Sequence, residues 1–220
     1  SSSSAASDVY KRQDYNSYSY DCQGSITEDN VTIRCFNGTV HGYEDLRSSF
    51  ANSCNASFAN IGLSLDVDGY RETAESLLFN KKLPSVMDYT KSSFVLDSKS
   101  GSAEIMMTAM GQGKTTVSPY HMALIAEAVA NGGTMMQPYL VESVTNYTGS
   151  QIRKNVPKSY KRIMTSEEAA QLKEYMAAVV SEGTGSVLSG RSYTVAGKTG
   201  TAEYSLSLIH ISEPTRPEPI

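Results

Sequence analysis

The sequence predicts a mixed α/β (α+β) fold that is rich in helices and has few strands. Several segments repeat apolar residues at helical spacing between clear start and stop signals, and only three short segments have the composition of strands. The strand candidates are residues 139–147, residues 192–204 and, with a weaker signal, residues 134–138. We therefore expect a sheet that is short of strands.

The first half of the chain carries helical patterns in two regions. Residues 41–65 are expected to form two helical pieces, and residues 68–79 a further helix that ends at Asn-Lys-Lys-Leu-Pro. The side chains expected to face the core from the first region are Leu46, Phe50, Phe58 and Ile61. The methionine-rich segments at 104–110 and 134–138 are expected to fill the core rather than to bind a partner.

A helix with clear start and stop signals is expected at residues 118–130. Ser118 is a suitable N-cap, Pro119 suits the first turn, and Gly132 or Gly133 should stop the helix. The apolar face is expected to consist of Met122, Ile125, Ala126 and Val129.

A second helix with clear start and stop signals is expected after Thr165. Thr165 and Glu168 have the spacing of a capping box, and Gly183 should end the helix. The apolar stripe between them is expected to consist of Leu172, Tyr175, Met176 and Val179.

Composition and charge speak against two functional classes. The 220 residues carry 19 Lys and Arg against 23 Asp and Glu, a formal charge of −4 without a basic cluster, so nucleic acid is not an expected partner. The most apolar run, residues 122–130, is interrupted by Glu127 and predicts a core helix, so we expect no membrane anchor in this chain.

Both ends differ in composition from the rest of the chain. Residues 1–13 are a serine-rich run without periodicity, and residues 205–220 end in a segment with three prolines. These ends resemble translated sequencing-adaptor read-through, and we expect both to be non-native. The domain itself is expected at residues 14–204.

The tripeptide Gly-Lys-Thr occurs twice, at 113–115 and 197–199, and first suggests a phosphate-binding loop. Such a loop requires G-x-x-x-x-G-K-[ST], but the positions that should hold the first glycine are Thr108 and Ser192. The expected helix after Lys198 is also missing. Nucleotide binding is therefore disfavoured.

A Lys-Thr-Gly tripeptide also occurs in penicillin-binding proteins and β-lactamases, together with a Ser-x-Asn motif. The chain has one Ser-x-Asn, at residues 53–55, and one Lys-Thr-Gly, at residues 198–200. From residue type alone, Ser53 would be expected to cap the following helix, and Lys198 could be an ordinary lysine at a strand edge. The order and separation of the two motifs favour the enzymatic interpretation.

Longer segments strengthen this interpretation. The segments FANSCNASFANIG (50–62), AMGQGKTTVSPYHMALIAEAVANGG (109–133) and VAGKTGTAE (195–203) closely resemble the transpeptidase domain of class B penicillin-binding proteins, and SEGTGS (181–186) also fits. The resemblance covers roughly residues 15–204. It implies a five-stranded antiparallel sheet between helical layers, of which this chain would keep little beyond residues 192–204, and partly molten behaviour on expression.

The resemblance also implies roles for particular residues. The catalytic set would be Ser53, which relays a proton, Asn55, which holds the substrate backbone, and Lys198, which pairs with the substrate carboxylate. The substrate-binding residues would be Thr199, beside that carboxylate, Gly200, and Thr201, whose N–H would form half of an oxyanion hole. Lys114 would be an ordinary loop lysine that follows the Gly111–Gly113 turn.

The implied reaction is acyl transfer through a serine ester on the D-Ala-D-Ala end of a peptidoglycan stem, which β-lactams imitate. No metal or organic cofactor is implied. The intact parent would be extracytoplasmic, anchored in a bacterial membrane, and would work with cell-wall synthesis partners. The family's nucleophile motif is S-x-x-K, yet no lysine of this chain has a serine three residues before it, so we expect the chain to be inactive. The alternative is a non-catalytic β-lactam-binding or sensor domain of the same fold.

The three cysteines are Cys22, Cys35 and Cys54. Cys22 and Cys35 could form a disulfide in an oxidising compartment, and reduced, partly buried thiols are at least as compatible with the sequence. Their spacing matches no usual metal signature, and Cys54 is given no role. His41 and His121 are expected to be structural.

Overall fold

The computed structural model describes residues 17–200, and it shows helices packed with short antiparallel strand pairs. The six α-helices of this part are α1 Leu46–Ala51, α2 Asn55–Ser64, α3 Val67–Ser76, α4 Ser102–Met110, α5 Pro119–Ala130 and α6 Ser166–Ser181. The strands are β1 Tyr20–Cys22, β2 Ser25–Glu28, β3 Val31–Arg34, β4 Gly42–Glu44, β5 Thr134–Met136, β6 Ser143–Thr145, β7 Gln151–Lys154 and β8 Ser159–Arg162.

The strands form four separate antiparallel pairs, β1 with β4, β2 with β3, β5 with β8 and β6 with β7. The prediction of a strand at residues 192–204 is wrong for residues 192–200, which contain no strand. A strand needs a neighbouring strand for its backbone hydrogen bonds, and residues 17–200 place a helix beside this segment instead: Gly197 N donates to Met176 O of α6 at 3.0 Å. Residues 201–204 lie outside the described part.

The helices at residues 41–65 and 68–79 are confirmed as α1, α2 and α3, and the four core residues expected from the first region are all buried. The helix α4 was missed, although its methionines were assigned to the core. Its N-cap is Gly101, which provides no side-chain hydrogen bond, so the sequence carries no start signal there. Gly62 on α2 lets α4 approach closely, because an added Cβ would lie 2.6 Å from that of Ala109.

The start of α5 is confirmed, because the Ser118 side chain accepts from His121 N. The apolar face expected on this helix is partly wrong: Met122 and Ala126 are exposed. The buried face consists of His121, Leu124, Ile125, Ala128 and Val129.

A buried histidine explains how this helix is rotated. His121 Nε2 donates to Leu77 O at 2.7 Å, and its ring lies 4.9 Å from the ring of Phe79. Burial lowers the pKa of His121, which favours the neutral ring. The choice of Met122 over His121 followed hydrophobicity, whereas in the fold the His121 ring is buried with its Nε2 bonded to a backbone carbonyl.

The helix α6 begins with the predicted capping box of Thr165 and Glu168, and both of its hydrogen bonds are present. Its Tyr175 packs against Phe50 of α1 at 6.0 Å between ring centroids, and Phe50 in turn contacts Phe58 of α2 at 6.3 Å. This aromatic group joins α1, α2 and α6 at the centre of the molecule. None of the described helices is long and apolar enough to cross a bilayer.

Candidate active site

The Ser-x-Asn motif lies in the tight turn between α1 and α2. Ser53 has a φ of 52°, in the left-handed region that a non-glycine residue adopts at a cost of about 1 kcal/mol. The cap of α2 is Cys54, whose thiol accepts from Ser57 N at 3.4 Å. The expectation from residue type that Ser53 caps this helix is therefore wrong, and its hydroxyl is available for other contacts.

Lys198 lies directly against this serine. Its Nζ donates to Ser53 Oγ, and to Thr199 O at 3.1 Å. The same ammonium group lies 5.5 Å from the ring centroid of Phe50, within the range of a cation–π contact. Ser53 and Lys198, which are 145 positions apart in the sequence, thus lie in one site beside the ring of Phe50.

The electrostatics of Lys198 are unusual for a lysine. Burial lowers the pKa of its side chain to about 8. Within residues 17–200, no carboxylate forms an ion pair with it. A half-buried cation without a counter-charge favours an anionic ligand, since such a ligand would offset the cost of desolvation.

Two threonine hydroxyls complete the group. Thr199 Oγ1 lies 3.3 Å from Ser53 Oγ and 2.6 Å from Thr184 Oγ1. Thr184 is held by its backbone, because Thr184 N donates to Ala51 O at 3.1 Å. Sequence reasoning missed Thr184, although the segment at 181–186 had been noted as part of the family resemblance.

The residues around Thr184 explain its position. A Cβ at Gly183 would lie 2.1 Å from Ala51 O, so only glycine allows this close approach to the end of α1. Beside it, Arg47 of α1 donates to both carboxylate oxygens of Glu182, at 2.7 Å each. This hydrogen bond lowers the pKa of Glu182 and fastens the end of α6 to α1.

The remaining candidate residues are placed differently. Asn55 Nδ2 donates to Arg34 O at 2.9 Å, so this amide contacts the end of strand β3. Gly200 is exposed, and Thr201 lies outside the described residues. Lys114 is an exposed loop residue that pairs with Glu104 at 2.6 Å, in agreement with its expected place after the turn.

Comparison with known proteins shows the family. Residues 9–206 match the penicillin binding protein transpeptidase domain. The chain belongs to this family. It is 30% identical over 184 residues to stage V sporulation protein D of Bacillus subtilis, and 29% identical over 188 residues to the peptidoglycan D,D-transpeptidase PbpA of Mycolicibacterium smegmatis. It covers only 28% and 37% of these two relatives, while 82% and 81% of the chain is matched.

Solved structures of transpeptidase domains have the same fold. The D,D-transpeptidase domain of a peptidoglycan glycosyltransferase from Eggerthella lenta matches 92% of the chain and 52% of that structure, with a TM-score of 0.83 and 25% identity. The ceftriaxone acyl-enzyme complex of penicillin-binding protein A from M. tuberculosis matches 92% of the chain and 46% of that structure, with a TM-score of 0.79 and 24% identity. The mixed α/β transpeptidase fold expected from the sequence is confirmed.

Proposed function

We propose that this chain forms the carboxylate-binding side of a peptidoglycan D,D-transpeptidase active site. The observation that carries the proposal is the meeting of Ser53, Lys198 and Thr199, since a partly desolvated ammonium and two hydroxyls converge there. An ammonium beside hydroxyl donors suits a carboxylate, and D-Ala-D-Ala ends in one. The names of the M. smegmatis and M. tuberculosis PbpA relatives, both peptidoglycan D,D-transpeptidases, support the same substrate.

Lys198 and Thr199 would bind the terminal carboxylate of the stem peptide. Without a ligand the pKa of Lys198 is about 8, and an incoming carboxylate would raise this pKa. The lysine would therefore be fully charged when the substrate is bound. The Thr184 hydroxyl, 2.6 Å from that of Thr199, would orient the Thr199 donor. Gly200 would let the substrate lie against the backbone without a side chain in the way.

Ser53 would carry a proton during acyl transfer. Its hydroxyl is within hydrogen-bond reach of both Lys198 and Thr199, so a proton can pass through these hydrogen-bonded groups toward a leaving group. Asn55 would hold the substrate backbone by rotating away from Arg34, and Thr201 N–H would contribute to an oxyanion hole. The acyl-accepting nucleophile would be a serine of an S-x-x-K motif, which this sequence does not contain.

β-Lactams would bind at the same place, because their carboxylate imitates that of the stem peptide. Structures of penicillin-binding protein A from M. tuberculosis as imipenem and penicillin G acyl-enzyme complexes share the fold of this chain, with TM-scores of 0.71 and 0.70. The domain would span residues 14–204, within an extracytoplasmic protein that is anchored in a bacterial membrane and acts with cell-wall synthesis partners.

Covalent labelling tests the proposal. The chain is extended at its N-terminus with a family segment that carries S-x-x-K, and the folded product is incubated with a fluorescent penicillin. We expect labelling of the extended protein, no labelling of the chain alone, and acylation about 10²-fold slower in Lys198→Met because one charged donor is lost. Lys114→Met is the matched control, as it alters the other Gly-Lys-Thr, and it should label normally. A folded extended protein that fails to label would contradict the proposal.

A further inference from the structure

A second group of reactive side chains lies behind the Ser-x-Asn turn. It consists of Cys22, Cys35, His41 and Cys54, whose Sγ and imidazole nitrogen atoms all lie within 4.8 Å of one another. The three cysteines are free thiols and are buried. The transpeptidase reaction proposed above uses none of these four side chains.

Three distances within the group match those of a tetrahedral metal site. Zinc–sulfur bonds of about 2.3 Å and zinc–nitrogen bonds of about 2.0–2.1 Å require about 3.8 Å between two sulfur ligands and about 3.6 Å between sulfur and nitrogen. The Sγ of Cys35 lies 3.7 Å from that of Cys22 and 3.8 Å from that of Cys54. Cys22 Sγ lies 3.5 Å from His41 Nδ1. Three thiols and one imidazole are also a common donor set of structural zinc sites.

Backbone N–H groups donate hydrogen bonds to two of the sulfur atoms. Gly24 N donates to Cys22 Sγ at 3.4 Å, and Ser57 N donates to Cys54 Sγ at 3.4 Å. Hydrogen bonds of this kind orient metal ligands and stabilise them in a site.

The four ligands come from separate parts of the fold. Cys22 pairs with Gly42 across β1 and β4, which places it beside His41. Cys35 is held beside Cys22, in a corner formed by the loops at residues 23–24 and 35–41, because Cys35 N donates to Gly24 O at 2.9 Å. Gly24 has a φ of 86°, and a Cβ there would lie 2.8 Å from Gly38 O, so this corner depends on glycine. The backbone thus arranges the ligands before any ion binds.

A disulfide explains this arrangement less well. A disulfide would join two sulfur atoms at about 2.05 Å and would leave the third thiol and the imidazole without a role. Here Cys35 contacts both other sulfurs at nearly equal distances, as expected for ligands around a common centre.

We propose that Cys22, Cys35, His41 and Cys54 bind one Zn²⁺ ion, which fixes the turn that carries Ser53. Cys54 is both a ligand and the residue between Ser53 and Asn55, so the ion would hold the strained φ of Ser53 in place. The site departs from the sequence-based expectation of no metal. Its consequence for Ser53 rests on the proposed function, whereas zinc binding itself does not.

Metal analysis of the full chain tests the site. The chain is purified under reducing conditions with Zn²⁺. Unbound metal is removed by desalting, and the zinc that remains is measured by mass spectrometry. We expect one zinc per chain, and an affinity for Zn²⁺ at least about 100-fold weaker in Cys54→Ser and His41→Ala, since each loses a direct ligand. Gln23→Ala is the matched control, because this exposed residue lies next to Cys22 and its side-chain amide donates to Asp21 outside the group. It should retain zinc fully.

Cobalt gives an independent readout. Co²⁺ in place of zinc should produce a thiolate charge-transfer band and tetrahedral ligand-field bands in the wild type and in Gln23→Ala. His41→Ala keeps all three thiols, and its folding is checked by circular dichroism. A folded wild type that retains no zinc, a folded His41→Ala with undiminished affinity, or a zinc-free chain with a disulfide would overturn the proposal.

Titration with D-Ala-D-Ala separates the two proposals. We expect dipeptide binding to weaken when zinc is removed by a chelator and to return when zinc is restored. Zinc binding with no dipeptide binding would confirm the metal site and contradict the proposed function. Dipeptide binding that is unchanged by chelation would overturn the effect of the ion on Ser53.

Discussion

Replacing Lys198 by methionine should stabilise the folded chain. Burial lowers the pKa of Lys198 from 10.5 to about 8, which corresponds to about 3 kcal/mol for keeping the ammonium charged in the fold. Because the side chain is only half-buried and remains partly screened by water, we expect a gain of about 1–2 kcal/mol in the free energy of unfolding at neutral pH.

The pH dependence gives this prediction its sign. The folded state releases the Lys198 proton near pH 8 and the unfolded state near pH 10.5, so the unfolded state holds more protons between these values. The wild type should therefore gain stability relative to Lys198→Met as the pH rises through this window, and the difference should be greatest below it. Other titrating groups are common to both proteins and cancel in the comparison.

Urea unfolding followed by circular dichroism measures the difference. Lys114→Met is the control, because Lys114 is exposed and its ion pair with Glu104 is screened by water, so its loss should change stability little across this pH window. A Lys198→Met chain that is less stable than the wild type at neutral pH, or a difference that stays constant from pH 8 to 10.5, would refute the reasoning.

Three further substitutions test the parts that support the site. Phe50→Ala removes the ring beneath Lys198 and should cost about 3–5 kcal/mol in urea unfolding, and a loss under 1 kcal/mol would contradict the central place of this ring. Gly183→Ala places a Cβ 2.1 Å from Ala51 O and should cost about 1–3 kcal/mol, with weaker D-Ala-D-Ala binding in calorimetry; an unchanged chain would show that the approach is not tight. Ser53→Gly relieves a positive φ and should raise the free energy of unfolding by up to about 1 kcal/mol while penicillin labelling of the extended protein slows. Loss of stability in Ser53→Gly would argue against strain at this turn.

The sequence predicted those helices that carry their own start and stop signals. Ser118 and the pair Thr165 and Glu168 act locally, so their caps could be recognised without knowledge of the fold. The helix α4 starts at Gly101 without a side-chain cap and was missed for that reason. Four of the eight strands are three residues long, and two of them, β5 and β6, lie within the segments expected at 134–138 and 139–147. The other two, β1 and β4, pair with each other across 19 intervening residues and were not predicted, because three residues are too few to show a strand periodicity.

The candidate site was predicted in part. The motifs identified Ser53, Lys198 and Thr199, which do meet in the fold. Thr184 could not be assigned from residue type, because its place depends on the contact of a loop with the end of α1. The cysteine and histidine group was missed for a similar reason, as its ligands are spread over β1, two loops and the cap of α2 at spacings unlike any usual zinc signature.

Calorimetric titration of the chain with D-Ala-D-Ala and with its C-terminal amide tests the central claim most directly. If Lys198 binds the terminal carboxylate, the acid should bind about 10-fold or more tightly than the amide, with proton uptake above pH 8 as the lysine becomes charged. Lys198→Met should remove this preference and the proton uptake, and Lys114→Met should keep both. Equal affinities for acid and amide in the folded wild type would contradict the account.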